Sequence, residues 1–170
     1  MTSNNWTKDQ QYLSFVSDLL DRPEVQKLNN YKQHHATTRL NHCISVSYKS
    51  YLIAKNLGLN AKAVARAGLL HDLFYYDWRT TKFMEGSHAW VHPQMAYQNA
   101  LKLTDLSDLE KDIIVKHMWL ATLALPRYKE SYVVTCVDKY CAISEYSSGK
   151  AESFKQFLKS IPQRLSLNHY

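Results

Sequence analysis

The sequence predicts a single-domain, all-α bundle of six to eight helices, and three observations carry that prediction. The 170 residues include only four glycines and four prolines, so there are few points at which a helix must stop. No stretch alternates apolar and polar residues with the period of two that a half-buried strand requires; apolar residues recur three and four apart instead. Hydrophobic residues make up 45% of the chain, enough for one real core, and the length leaves no room for a second catalytic domain.

The elements follow in order. Leu13, Val16, Leu19 and Leu20 share one side of a first helix over Lys8 to Leu20, and Pro23 starts a short helical piece towards Tyr31. A helix from Arg39 ends at Leu57-Gly58, where glycine can take the left-handed conformation that closes a helix. Asn60 caps the next one, which carries Val64, Ala67, Gly68 and Leu70 to the doublet His71-Asp72. Tyr75 to Val91 has no clean period and reads as a functional loop. Pro93 fits a first helical position, which places His92 at the cap of a helix bearing Ala96, Ala100 and Leu103. Ser107 and Glu110 form a capping box that opens a helix with Ile113, Ile114, His117 and Leu120. After the break at Pro126, Glu130 or Ser131 opens a helix through Val134, Val137, Asp138, Cys141 and Ser144, and a last amphipathic helix spans Glu152 to Leu165, interrupted at Pro162.

Composition excludes several classes. No apolar run approaches the ~20 residues a membrane span needs, and the opening Met1-Thr2-Ser3 segment lacks the layout of a signal peptide, so a cytoplasmic protein is expected. Cys43, Cys136 and Cys141 are an odd number with no Cys-x-x-Cys pair, which argues against both a disulfide framework and a thiolate zinc site. The net charge of +6 suits an anionic small-molecule ligand, while no basic track interleaved with aromatics marks a nucleic-acid partner.

The chemistry lies in polar islands on otherwise apolar helix faces: His42, His71-Asp72, His92, His117 and Asp138. His71 follows Gly68, Ala67 and Val64 by three, four and seven residues and shares their inward face. Gly68 in a helix interior costs about 1 kcal/mol relative to Ala, a cost that close approach of another helix would explain. Burying even a neutral polar group without a partner costs roughly 2–7 kcal/mol, and any one of these residues could find an ordinary hydrogen bond. Four imidazoles and two carboxylates together ask for a common partner, and a divalent metal satisfies both types.

The order His…His-Asp…His…His…Asp resembles the HD-domain superfamily of metal-dependent phosphohydrolases, over about residues 34 to 146. The matching residues are His42 in Arg39-Leu40-Asn41-His42, the doublet in Gly68-Leu69-Leu70-His71-Asp72, and Asp138 in Cys136-Val137-Asp138-Lys139. The resemblance implies that these four bind one ion, and that His92 and His117 carry a second one bridged by Asp72, a layout similar to HD-type hydrolases of dinucleoside polyphosphates. The doublet is followed by Leu73-Phe74-Tyr75 rather than the frequent Ile-Gly-Lys, and no adjacent His pair marks the cyclic-dinucleotide branch.

The expected cofactor is one or two divalent ions, Fe, Mn, Co, Ni or Zn, with Mg admissible but disfavoured by so many histidines. The expected reaction is hydrolysis of a phosphomonoester or phosphoanhydride in a nucleotide-like substrate by a metal-activated hydroxide. Asp72 is the central catalytic candidate, with Asp77 as an outer-sphere acid or base and Lys116 in both catalysis and phosphate binding. Arg39, three residues before His42, joins Lys116, Arg127, Lys139 and the loop residue His88 as candidates for substrate contact; each has a plain alternative as a solvated or capping side chain. Two rival classes stay open, a nucleotide- and metal-binding sensor without turnover and a helical nucleic-acid module. A homodimer is compatible with all three.

Overall fold

A computed structural model of the chain describes residues 5–34, 37–84 and 86–166. Seven α-helices dominate them: α1 (Gln10–Leu20), α2 (Pro23–Gln26), α3 (Arg39–Asn56), α4 (Ala61–Leu70), α5 (His88–Ala100), α6 (Asp108–Lys116) and α7 (Lys129–Ser166). Side-chain caps close the start of four of them. Asp9 accepts from Tyr12 N, Thr38 from Asn41 N and Asn60 from Ala63 N, and Ser107 and Glu110 close a reciprocal box. Gly58, at φ +65°, ends α3 as expected.

The central unit is α3 packed along α4, with α7 against α3 and α6 bridging α4 to α7. A Cβ on Gly68 would sit 3.0 Å from the Ser47 Cα, so a side chain there would force α3 and α4 apart. Ser47 seals the crossing through its hydroxyl, which donates to the Ala65 carbonyl at 2.6 Å and meets Tyr12 Oη at 2.8 Å. Val16, Leu19, Tyr51, Val64, Leu69, Ile113 and Val134 fill the core around this contact. No helix among the described residues is long and apolar enough to cross a membrane.

Four expectations need correction. Lys32–His34 and Thr37–Thr38 form a short antiparallel hairpin, β1 and β2; two or three residues are too few to show a period of two. Helix α5 starts at His88, so Pro93 lies inside it and His92 is a helical residue rather than a cap. Helix α6 stops at Lys116, and Leu120 is exposed at φ 79° instead of continuing the apolar stripe. Helix α7 runs without interruption across the segment expected to start a separate tail helix and across Pro162; the amphipathic character expected from Glu152 onwards lies outside the described side chains.

Candidate metal centre

Five helices or helix ends deliver the six residues of these islands to one place. His42 lies on α3, His92 on α5 and Asp138 on α7, while His71 and His117 are the C-caps of α4 and α6. All six are buried, none more than 9% exposed.

The two cap positions have a physical logic. The last carbonyls of a helix have no amide four residues on to receive. His71 Nδ1–H donates to one of these, Gly68 O, at 2.8 Å, and His117 Nδ1–H to another, Ile114 O, at 2.8 Å. His92 Nδ1–H likewise donates to His88 O at 2.7 Å. A carbonyl only accepts, so each ring carries a proton on Nδ1 and turns Nε2 toward the cluster, the arrangement in which a metal-binding imidazole is held by an outer carbonyl.

Two groups of donor atoms result, one of His42, His71 and Asp138 and one of His71, Asp72 and His117, with atoms close enough to share an ion. His42 Nε2 is 2.9 Å and His71 Nε2 3.5 Å from Asp138 Oδ1. Asp72 Oδ1 lies 3.2 Å from His92 Nε2 and 3.6 Å from His117 Nε2. The chemistry of these donors fits a cation. His71 Nε2 and Asp72 Oδ1 are buried without a hydrogen-bond partner, and His92 Nε2 faces His117 Nε2 at 2.8 Å with both ring protons already spent on carbonyls. Two lone pairs at that distance repel unless a proton or a metal lies between them.

Electrostatics separate the two groups. Burial works against charge on His42, but the Asp138 and Glu145 carboxylates outweigh it and raise the ring to about 10. His71 is raised well above the usual imidazole value, because Asp72 and Asp138 overcome its desolvation. Asp138 and Asp72 are held far below the usual carboxylate range by the surrounding imidazoles despite burial. His117 goes the other way: burial, then the neighbouring His92 and His71, push it down to about 3.

An outer set of residues holds this arrangement. Gln33 Nε2 donates to Asp72 Oδ2 at 2.6 Å, and Arg39 Nε donates to Gln33 Oε1 at 2.9 Å. One Asp72 oxygen is thereby fixed, leaving the other for the imidazoles. Glu145 accepts from His42 Nδ1 at 3.2 Å. Above the cluster opens a cleft of about 330 Å³, bordered by Asp72, His92, His117, Asp138, Lys139 and His88, among others.

The other residues that the sequence marks as candidates divide. Lys139 borders the cleft and donates to His117 O at 3.1 Å. His88 also borders it, with Nδ1 2.9 Å from Tyr76 Oη, and burial followed by repulsion from His92 lowers its ring to about 4. Arg39 is no surface clamp: it is fully buried, donating to Phe74 O at 2.7 Å and Tyr76 O at 3.1 Å. Lys116 turns from the cleft to pair with Asp112 at 2.8 Å, and Arg127 donates its backbone N–H to the same carboxylate at 2.9 Å, in a separate depression. Asp77 is an exposed loop cap that accepts from Arg79 N at 2.9 Å. Sequence reasoning misses Gln33, Trp78 and Glu145. Only Glu145 leaves a signal, being seven residues after Asp138 and so on its helix face.

Comparison with known proteins agrees with this geometry. The family described as HD domain matches residues 39–140. Ribonuclease Y of Protochlamydia amoebophila (strain UWE25) is 30% identical over 122 residues, which is 72% of this chain and 21% of the relative, so the chain spans about a fifth of that protein's length. No solved structure matches.

Proposed function

Because the chain belongs to the HD domain family of metal-dependent phosphohydrolases, we propose that it hydrolyses a phosphate ester or anhydride of a nucleotide-like substrate with two divalent ions in the buried cluster. His42, His71, Asp72 and Asp138 would hold one ion and His92 and His117 the other, with Asp72 shared between them. The observation that carries this reading is the His92–His117 contact, two Nε2 lone pairs 2.8 Å apart beside an unpartnered Asp72 oxygen.

Divalent ions bound there supply a water of lowered pKa and polarise phosphoryl oxygens. The chain's own residues do the rest. The carbonyls of Gly68, His88 and Ile114 aim three imidazoles, so little reorganisation is needed on binding. Gln33 keeps Asp72 in one orientation. Lys139 Nζ, at the cleft wall, offers positive charge to a phosphate seated over the ligands.

The test is phosphate release from a panel of nucleoside mono- and polyphosphates, aryl phosphates and short RNA with Mn, Fe, Co or Mg, the RNA being included because of the Ribonuclease Y relative. Turnover of at least one class that disappears on chelation and returns with metal is expected. Tight nucleotide binding without turnover under every metal would instead favour a sensor.

A further inference from the structure

The cleft beside the cluster is walled by a column of stacked planar groups. The Arg79 guanidinium lies 4.5 Å from the Trp78 ring centroid. Trp78 is 5.7 Å from His88 with 15° between planes, and His88 is 4.2 Å from His92 with 22° between planes. Stacking takes up part of each ring face, and Trp78 and His88 both border the cleft. Ring rims carry the positive end of the aromatic quadrupole and pack well against the face of another aromatic ring.

The column is held rigidly. Arg79 donates to Gln33 O at 2.6 Å, Arg39 donates to the carbonyls of Phe74 and Tyr76 on the same segment, and Tyr76 Oη meets His88 Nδ1 at 2.9 Å. Met118, Ala121 and Ala142 supply further apolar lining. Lys139 is the one lysine or arginine bordering the cleft among the described residues. A volume of about 330 Å³ is near the lower end of ligand pockets, roughly 300–1,000 Å³.

A small volume with apolar and aromatic walls leaves little room for a polyphosphate chain. We propose that the Trp78–His88 wall is a subsite for a flat aromatic group, such as a nucleobase or aryl ring, of a ligand carrying a single phosphate; this rests on the metal-centre reading above. Trp78 sets the preference and His88 links it to the metal ligand His92.

The probes are phenylphosphonate and methylphosphonate, which cannot be hydrolysed at the P–C bond, titrated calorimetrically into Mn-loaded full-length protein. Phenylphosphonate is expected to bind on the order of tenfold more tightly than methylphosphonate, the scale of one aromatic contact. Trp78→Ala should bring the two within about twofold, Trp78→Phe should keep most of the preference, and metal content measured on each variant should stay at the wild-type value. Equal binding of both phosphonates to wild type, or a preference that survives Trp78→Ala, overturns the subsite and leaves the metal centre standing. Binding of neither to protein whose Mn content is confirmed also overturns the subsite, whereas a protein that takes up no Mn overturns the metal-centre reading on which the subsite rests.

Discussion

At His42 a carboxylate stands on either side of the ring, Asp138 at 2.9 Å and Glu145 at 3.2 Å. At His92 and His117, 2.8 Å apart, Asp72 Oδ1 lies 3.2 and 3.6 Å from the two rings. The first group can balance its charge with protons, and His42 is accordingly raised to about 10. In the second, burial and the neighbouring imidazoles work against charge on His117 and push it down to about 3. The same residue types thus make one half in which flanking carboxylates favour charged imidazoles and one in which burial and neighbouring imidazoles oppose charge on His117. The difference comes from the carboxylates: two flank His42, whereas burial and the imidazoles of His92 and His71 act together on His117.

The largest expected effect joins the halves. Asp72→Ala removes the carboxylate common to both and should abolish hydrolysis, with a loss of at least about a thousandfold in kcat and with bound metal falling, read by steady-state rates alongside elemental analysis. His92→Ala and His117→Ala touch the second half alone. Each should take bound metal from about two ions towards one, with activity falling on the order of a hundredfold. Glu145→Ala touches the first half from outside, and losing a carboxylate behind a metal-binding histidine typically costs about 10–100-fold in metal affinity. A Glu145→Ala variant that depletes metal as fully as Asp72→Ala would erase the distinction between halves.

How much of this is legible in the sequence depends on periodicity. His42, His71, His117 and Asp138 sit on apolar stripes, and helices that turn those stripes inward carry the four side chains to one place; His92 joins them although Pro93 suggests the wrong helix start. Arg39 shows the limit of spacing. Its distance along the chain from His42 is real, but spacing says nothing of where a long side chain ends, and two carbonyls of the loop after the doublet claim this one. Lys116 points away from the cleft, and Asp112, four residues earlier, announces the ordinary helix pair that holds it. Gln33 and Trp78 belong to segments without a regular period, where only tertiary structure brings them to Asp72 and His88.

The smallest effects are expected away from the cluster. Lys116→Ala and Arg127→Ala should leave kcat/KM within about twofold, because both residues lie in a depression separate from the cleft and Arg127 meets Asp112 through its backbone N–H; a tenfold fall in either would extend the site to that corner. Asp112 is held below the usual carboxylate range: burial opposes its charge, but hydrogen bonds from Lys116, Ser131 and the Arg127 amide prevail. A depressed carboxyl stabilises the fold above its unfolded pKa of about 3.9 and loses that contribution as pH falls through the folded value. Asp112→Asn should therefore weaken the wild-type loss of thermal stability below about pH 4 without altering the metal content.

The two-ion claim is tested most directly by anomalous scattering from crystals of the Mn-loaded protein. Two peaks are predicted, one among His42, His71 and Asp138 and the other between His92 and His117, with Asp72 reaching both. A single peak in fully loaded protein, or none between His92 and His117, would contradict the account.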